Sequence, residues 1–233
     1  MSAPSLVIAV PSKGRLKEKA ASLFKAAGFQ LRVKGHERGY RGQLEGLPDV
    51  EVEYTSAAEI VHQLRSGRVH LGITGEDLVR ESVHDVESHV EFLTPLNFGH
   101  ADVIVAVPQC WLDVSRMADL EDVAEQFARG HGRGLRVATK YMNLTRRFFA
   151  QKGVTGYRIV ESVGATEATP TIGTSELIVD ITSTGTTLKA NNLKVLEDGL
   201  ILKSQAHLLA AKRAIWDGRA NELRSAIFAA LST

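Results

Sequence analysis

One cysteine, Cys110, in 233 residues leaves no disulfide framework and no thiolate metal cluster, and it suits a reducing cytosol. An excess of charge of either sign is missing too. The formal net charge is +1, so no overall field draws the chain to nucleic acid or to a membrane surface. Long hydrophobic runs are absent: Leu6–Val10 is far too short for a signal-peptide core or a membrane span, and Pro11 and Lys13 end it. The histidines (His36, His62, His70, His84, His89, His100, His131 and His207) are scattered without ligand-like pairing, which argues against a protein-bound zinc. No Pro/Ser-rich linker and no low-complexity tract interrupts the chain. With 44% hydrophobic residues it has material for one large or two small α/β domains of a cytoplasmic protein.

What is present is concentrated between Leu177 and Asn192. Leu177-Ile178-Val179-Asp180-Ile181 has the make-up of a short buried strand, and Thr182-Ser183-Thr184-Gly185-Thr186-Thr187 that of a tight, hydroxyl-rich turn. Leu188-Lys189-Ala190-Asn191-Asn192 then reads as the first turn of a helix. Such a succession makes an anion site, because exposed backbone N–H groups and the positive end of the helix dipole face one spot. Gly185 lets the backbone approach a phosphate closely, and the hydroxyls of Ser183, Thr184, Thr186 and Thr187 can each donate a hydrogen bond. Asp180 is the odd member. A carboxylate beside a phosphate cradle is repelled unless it binds something else, sugar hydroxyls or a magnesium ion. The plainer account is a Thr-rich helix cap with an Asp capping a strand end. No Lys follows the glycine, so this is not the G-x-x-x-x-G-K-[ST] loop of nucleotide triphosphatases. A phosphorylated sugar suits it better, with phosphate on the loop and ribose hydroxyls on the acid.

Along the chain, Leu6-Val7-Ile8-Ala9-Val10 has the pattern of a parallel strand covered on both faces. Pro11-Ser12-Lys13-Gly14-Arg15 follows, then Leu16, Ala20, Leu23, Phe24 and Ala27 at helical spacing, with Gly28 closing the helix. Two cations on a strand-to-helix loop belong at the carboxyl edge of a sheet, where α/β proteins bind ligands; an ordinary solvated loop is the simpler account. Gln30 to Gly46, rich in Gly and Arg, reads as a β-hairpin or flap. Val50–Tyr54 alternates like a strand, Ser56 with Glu59 forms a capping-box pattern, Val69–Ile73 is a strand, and Thr74-Gly75-Glu76-Asp77 opens a helix. Parallel pairing is favoured. Val103–Pro108 is a second long buried strand. After a helix over Ala118–Arg129 come strands at Leu135–Ala138 and Tyr157–Glu161, with Thr139-Lys140 on the exit loop of the former and a helix carrying Leu144, Phe148 and Phe149 between them. Gly164–Ala168 starts a short helix, Leu193–Ser204 supplies one or two strands, and Ala206–Leu231 reads as a terminal helical segment with Trp216, Leu223, Ile227 and Ala230 on one stripe. The expected fold is α/β and two-lobed. Residues 1–96 with 191–233 form a discontinuous first lobe, residues 97–190 form a second that carries the hydroxyl-rich loop, and the site lies in the cleft between them.

Five motifs, taken together, point further: Pro11-Ser12-Lys13-Gly14-Arg15-Leu16, Gly72-Ile73-Thr74-Gly75-Glu76-Asp77, Arg136-Val137-Ala138-Thr139-Lys140-Tyr141, Gly164-Ala165-Thr166-Glu167, and Asp180 through Asn192. In order and spacing they resemble ATP phosphoribosyltransferase, over almost the whole chain. The chain looks like the short form, because it ends after one helical segment. The resemblance implies a type II periplasmic-binding-protein-like architecture with the active site in the interlobe cleft. It also implies the first step of histidine biosynthesis: adenine N1 of ATP attacks the anomeric carbon of phosphoribosyl pyrophosphate (PRPP), inverting it and expelling pyrophosphate. Mg²⁺ is required, carried by the substrates and not by protein side chains. A homodimer building block within a larger hetero-oligomer is implied, with a regulatory subunit similar to histidyl-tRNA synthetase.

The resemblance also distributes roles. PRPP falls to Asp180, Thr182, Ser183, Thr184, Gly185, Thr186 and Thr187, with Glu167 where the family has an acid near the ribose; helix capping is the bland account of Glu167. Arginine suits the departing pyrophosphate, since its fixed fork matches phosphate oxygens and stays charged. Arg15 is the first choice, with Lys13 beside it. A second arginine belongs to an Asp-Arg-x-Tyr-like stretch, here Glu37-Arg38-Gly39-Tyr40-Arg41, which favours Arg38 with Arg41 as runner-up. Contacts to ATP are expected from Lys13, Arg15, Gly75, Asp77 and Lys140, with a helix cap as the plain reading of Asp77. Where relatives carry Arg-Ala-Ser-Asp, this chain has Thr55-Ser56-Ala57-Ala58-Glu59, and nothing is carried over there. Adenine N1 has a free lone pair, so no general base is needed and no triad appears. Two other readings compete: a non-catalytic cytoplasmic module binding a phosphorylated ligand, and a phosphoribosyltransferase for a different base.

Overall fold

Leu6, Ile8 and Val10 are buried against one cluster of side chains and Ala9 against another, which is why the first strand is an unbroken apolar run. The computed structural model describes residues 4–33 and 40–231. The chain divides into two units, Met1–His100 with Gln205–Thr233, and Ala101–Ser204. Among the described residues no helix is long and apolar enough to cross a membrane.

The first unit begins β1 (Leu6–Pro11), α1 (Gly14–Ala26), β2 (Gln30–Val33), β3 (Arg41–Glu45), β4 (Leu47–Thr55), α2 (Ala57–Ser66), β5 (Leu71–Gly75), α3 (Glu76–Ser82), α4 (Val86–His89) and β6 (Val90–Pro95). The second is β7 (Asp102–Pro108), α5 (Met117–His131), β8 (Leu135–Thr139), α6 (Met142–Gln151), β9 (Tyr157–Glu161), a 3-10 turn over Thr166–Ala168, β10 (Leu177–Thr182), α7 (Thr186–Ala190) and β11 (Leu193–Leu202). The chain then returns to the first unit with β12 (Ala206–Ala211) and α8 (Gly218–Leu231).

Each unit is a mixed sheet, and the two share one topology. The first sheet runs β2-β3-β4-β1-β5-β12-β6 and the second β11-β7-β10-β8-β9. In the first, β4, β1 and β5 are mutually parallel while β12 is antiparallel to both its neighbours. In the second, β9, β8 and β10 are parallel while β7 is antiparallel to both of its own. Setting β4-β1-β5-β12-β6 beside β9-β8-β10-β7-β11 matches strand for strand. Both sheets are covered on two faces. Phe24 of α1 with Leu223 and Ile227 of α8 pack on one face of the first, and Ile60, Leu64 and Val79 of α2 and α3 on the other. In the second, Leu120, Leu144 and Phe149 of α5 and α6 cover Val103, Val105 and Val179, while Leu188 of α7 packs with Ile104, Ala106 and Ile178.

Several expectations change. Ala206–Ala211 is strand β12, paired between β5 and β6, and not the start of a terminal helix; α8 begins only at Gly218, and Trp216 lies before it, its Nε1–H donating to the Ala211 carbonyl at 2.9 Å. A short apolar run does not distinguish a doubly covered strand from a buried helix. Leu193–Leu202 pairs with β7, so the second unit extends to Ser204 and the expected boundary at residue 190 moves. Strand β6 was not foreseen. Antiparallel strands interrupt the parallel sheets, β12 and β3 in the first unit and β7 in the second. The expected hairpin is present as antiparallel β2 and β3, and its tip, residues 34–39, lies outside the described residues.

A carboxylate closes the lower end of the second sheet. Glu176, just before β10, accepts from the Arg136 backbone N–H at 2.6 Å, from Arg136 Nη2 at 2.7 Å and from Arg133 Nη2 at 3.0 Å. Burial alone would raise the Glu176 pKa; hydrogen bonds from the two guanidinium groups outweigh it and bring it from 4.5 down to about 2. With a folded-state value below the unfolded one, this stabilisation is complete above about pH 4.5 and is lost as pH falls toward 2. Glu176→Gln is expected to lower the unfolding free energy at pH 7 by about 2 kcal/mol, leaving two guanidinium groups without their anion. Urea unfolding at pH 7 and at successively lower pH checks both parts: the gap between variant and parent should narrow on acidification.

Candidate functional site

Parallel strands deliver their exit loops to one edge of a sheet. In the second unit, β9, β8 and β10 end together, which brings Glu167, Lys140 and the Thr182–Thr187 loop to that edge. Ser162 N–H donates to the Thr139 carbonyl at 3.1 Å, tying two of the three loops, and Thr166 Oγ1 donates to Ser162 Oγ at 3.0 Å. Asp102, where the chain enters this unit, pairs with Thr182, and Leu202, near where it leaves, pairs with Val103. The loops and both chain connections therefore share an edge.

The loop after β10 is shaped by its own polar groups. Gly185 has φ +72°, a left-handed conformation that costs other residues about 1 kcal/mol or more, and a Cβ there would meet nothing within 4 Å. Its N–H donates to Thr182 Oγ1 at 2.9 Å, while the Thr184 and Thr186 hydroxyls bond each other at 2.9 Å. Ser183, Thr184, Thr186 and Thr187 are exposed. Helix α7 has only five residues, so the hydrogen-bond donors offered here are the loop's own amides and hydroxyls, with little contribution from a helix dipole. Asp180 is half-buried, and its Oδ1 accepts from the Ile181 N–H at 2.8 Å. Burial raises its pKa above the usual value. The Ile181 N–H and the Lys140 charge oppose that shift, and Glu167 adds to it. Two residues singled out for separate reasons, Lys140 and Glu167, thus both bear on Asp180.

The first unit repeats the arrangement. β4, β1 and β5 end at one edge with Ser56, the Lys13-Gly14-Arg15 loop and the Gly75–Asp77 turn. Ser12 N–H donates to the Thr55 carbonyl at 2.8 Å, and Glu76 N–H to the Gln205 carbonyl at 3.0 Å, where the chain returns. Gly14 has φ +71°, left-handed like Gly185. Lys13 and Arg15 are exposed, and neither forms an ion pair among the described residues. Ser56 caps α2 by accepting from the Glu59 N–H at 3.2 Å. Gly75 is extended and pairs with Ala206; Asp77 is buried in the first turn of α3. Arg41 lies on β3 with Nε 3.4 Å from Glu51 Oε1. Arg38 lies outside the described residues.

Sequence reasoning passed over Ser162, which with Thr166 braces the β9 loop, and Gln205, whose carbonyl anchors α3 and whose side chain accepts from the Asn97 N–H at 3.1 Å. Their partners are set by strand order, and nothing local signals them. Among the described residues no group of three or more His, Cys, Asp or Glu is placed to hold a metal ion.

A family model described as ATP phosphoribosyltransferase matches residues 56–231. An ATP phosphoribosyltransferase from Bradyrhizobium sp. is 59% identical over 216 residues, which are 93% of this chain and 66% of that protein. The chain thus spans about two thirds of the length of that curated relative. Among solved structures, the ATP phosphoribosyl transferase (HisG:HisZ) complex from Thermotoga maritima matches with a TM-score of 0.73 at 24% identity, covering 97% of this chain and 96% of that one. A probable amino-acid ABC transporter extracellular-binding protein from Bacillus subtilis matches with a TM-score of 0.56 at 13% identity, covering 97% and 90%. At these identities the likeness shows the fold alone: α/β, in two units, of the periplasmic-binding-protein kind.

Gly185→Ala is expected to cost about 1 kcal/mol of stability through backbone strain alone, since space is open around it. Thermal or urea unfolding measures it. Gly130→Ala, at a glycine within α5 that has equally open surroundings and no left-handed φ, serves as the unstrained comparison.

Proposed function

This chain belongs to the ATP phosphoribosyltransferase family, and from that footing we propose that it transfers the phosphoribosyl group of PRPP to adenine N1 of ATP, the first step of histidine biosynthesis. The observation that carries the reading is the loop after β10. A left-handed glycine and four exposed hydroxyls stand directly beyond a half-buried carboxylate. That is a cradle for a sugar phosphate: Ser183 to Thr187 take the 5-phosphate, and Asp180, with Glu167 beside it, accepts hydrogen bonds from the ribose hydroxyls.

In the transfer, the adenine N1 lone pair forms the new bond to the anomeric carbon. The carbon–oxygen bond to pyrophosphate breaks, and the leaving group takes the electron pair. Mg²⁺ carried by the substrates would supply positive charge to the pyrophosphate. Arg15 and Lys13, exposed on a loop whose Gly14 is left-handed, meet charge that grows on the departing pyrophosphate. Arg38 remains the favoured second arginine, since Arg41 is already paired with Glu51. Gly75 and Asp77 are assigned to ATP. We read the chain as the short-form catalytic subunit, a cytoplasmic enzyme built on a homodimer, with a regulatory subunit resembling histidyl-tRNA synthetase. In support, the match to the Thermotoga chain covers nearly all of both chains.

A coupled assay for phosphoribosyl-ATP, with and without that partner, tests the reading. Affinity for PRPP without turnover in either case would favour the binding module, and turnover with another base but not ATP would favour a different phosphoribosyltransferase. Arg15→Ala is expected to lower kcat about a hundredfold, equivalent to roughly 3 kcal/mol of barrier, with much less effect on KM. A rise in KM at unchanged kcat would remove Arg15 from the transition state.

A further inference from the structure

We propose that Lys140 acts through Asp180: from the neighbouring strand exit its ammonium keeps the Asp180 carboxylate in the acceptor-only form that grips sugar hydroxyls, instead of contacting ATP. The inference rests on the reading of Asp180 as the ribose-binding acid. Strands β8 and β10 are parallel, with Leu177 opposite Val137 and Ile178 opposite Ala138. Lys140 is the first residue beyond β8, and counting two residues on from Ile178 and Ala138 brings Asp180 and Lys140 to the same end of these neighbouring strands. Lys140 is exposed and lies over the neighbouring aromatic ring. Its Nζ sits 5.0 Å from the centroid of the Tyr141 ring, and Tyr141 is fully buried. The Tyr141 N–H donates to Thr139 Oγ1 at 2.8 Å, and its carbonyl accepts from Thr145 Oγ1 at 2.6 Å.

Other charges on the elements around Asp180 are accounted for by element. The 3-10 turn contributes Glu167, a like charge. Strand β7 contributes Asp102, which pairs with Thr182 two residues further on. On α7 the cation is Lys189, in the last turn of that helix. Lys140 is the cation whose charge registers at Asp180, and it acts against both burial and Glu167. The chemistry explains why this matters. A ribose diol offers two O–H donors, and an ionised carboxylate accepts both, whereas a protonated one turns part of itself into a donor. A half-buried acid beside a second acid is the kind that drifts toward the neutral form unless a cation opposes it.

The test uses the full chain and reads Asp180 directly, by carboxyl ¹³C NMR titration of the parent and of Lys140→Gln, Lys140→Arg and Glu167→Gln. The acid limb of kcat/KM for PRPP is measured alongside. Lys140→Gln should move the Asp180 midpoint to higher pH by about half a unit to one unit, a three- to tenfold change in its ionised-to-neutral ratio. The acid limb should follow. Lys140→Arg should restore the parent value, and Glu167→Gln should move the midpoint the other way. An unmoved midpoint in Lys140→Gln overturns the proposal, as does a raised KM for ATP with no change in the limb. The NMR arm needs no turnover. A midpoint that moves in a chain unable to form phosphoribosyl-ATP upholds the Lys140–Asp180 coupling and counts against the catalytic reading alone.

Discussion

Backbone pairing decides where this protein can meet a ligand. Inside each sheet the N–H and C=O groups are spent on neighbouring strands, and helices cover both faces. Polar backbone becomes available only where strands end. Because three consecutive strands of each unit run parallel, their ends coincide, and loops far apart in sequence share an edge. The strand order is the same in both units, so the loop after β1 corresponds to that after β8, and the turn after β5 to that after β10. The first unit's loop after β1 carries arginine and lysine, and the second unit's loop after β10 carries hydroxyls with an acid beneath them. One architectural solution has been furnished with two complementary chemistries.

Strand β10 shows how differently two carboxylates behave a few residues apart. Glu176 sits before the strand with two guanidinium groups upon it and is held down to about 2. Asp180 sits near the other end, half-buried, near another acid, and pushed upward. The first arrangement locks two strands together and is best left undisturbed. The second leaves a carboxylate poised and incompletely neutralised, the condition expected of a group that completes its hydrogen bonds with a ligand.

Much of this was legible in the residues. The doubly covered strand at Leu6–Val10, the Ser56 cap and the hydroxyl-rich turn around Gly185 are local patterns, and local forces produce them. The stretch Ala206–Ala211 was not legible. Its six apolar or near-apolar residues suit a helix as well as a strand, and only the slot between β5 and β6 decides. The extent of the second unit was hidden for a similar reason, since β11 belongs there by pairing with β7 more than eighty residues earlier in the chain. Within the site, residue types marked out Asp180, Lys140 and Glu167 one at a time. The influence of the other two on Asp180 arises from strand order, which no linear pattern encodes.

The position of β12 carries a consequence for how the chain is made. Synthesis proceeds from the amino terminus, so β5 and β6 emerge long before the strand that belongs between them. The entire second unit, whose segments are contiguous, is available to fold first. Until Ala206–Ala211 leaves the ribosome, the first sheet stands as two fragments with open edges flanking a gap, and unpaired edges invite the wrong neighbour. Its last-made strand acts as a keystone: the half of the protein that starts first is the half that finishes last.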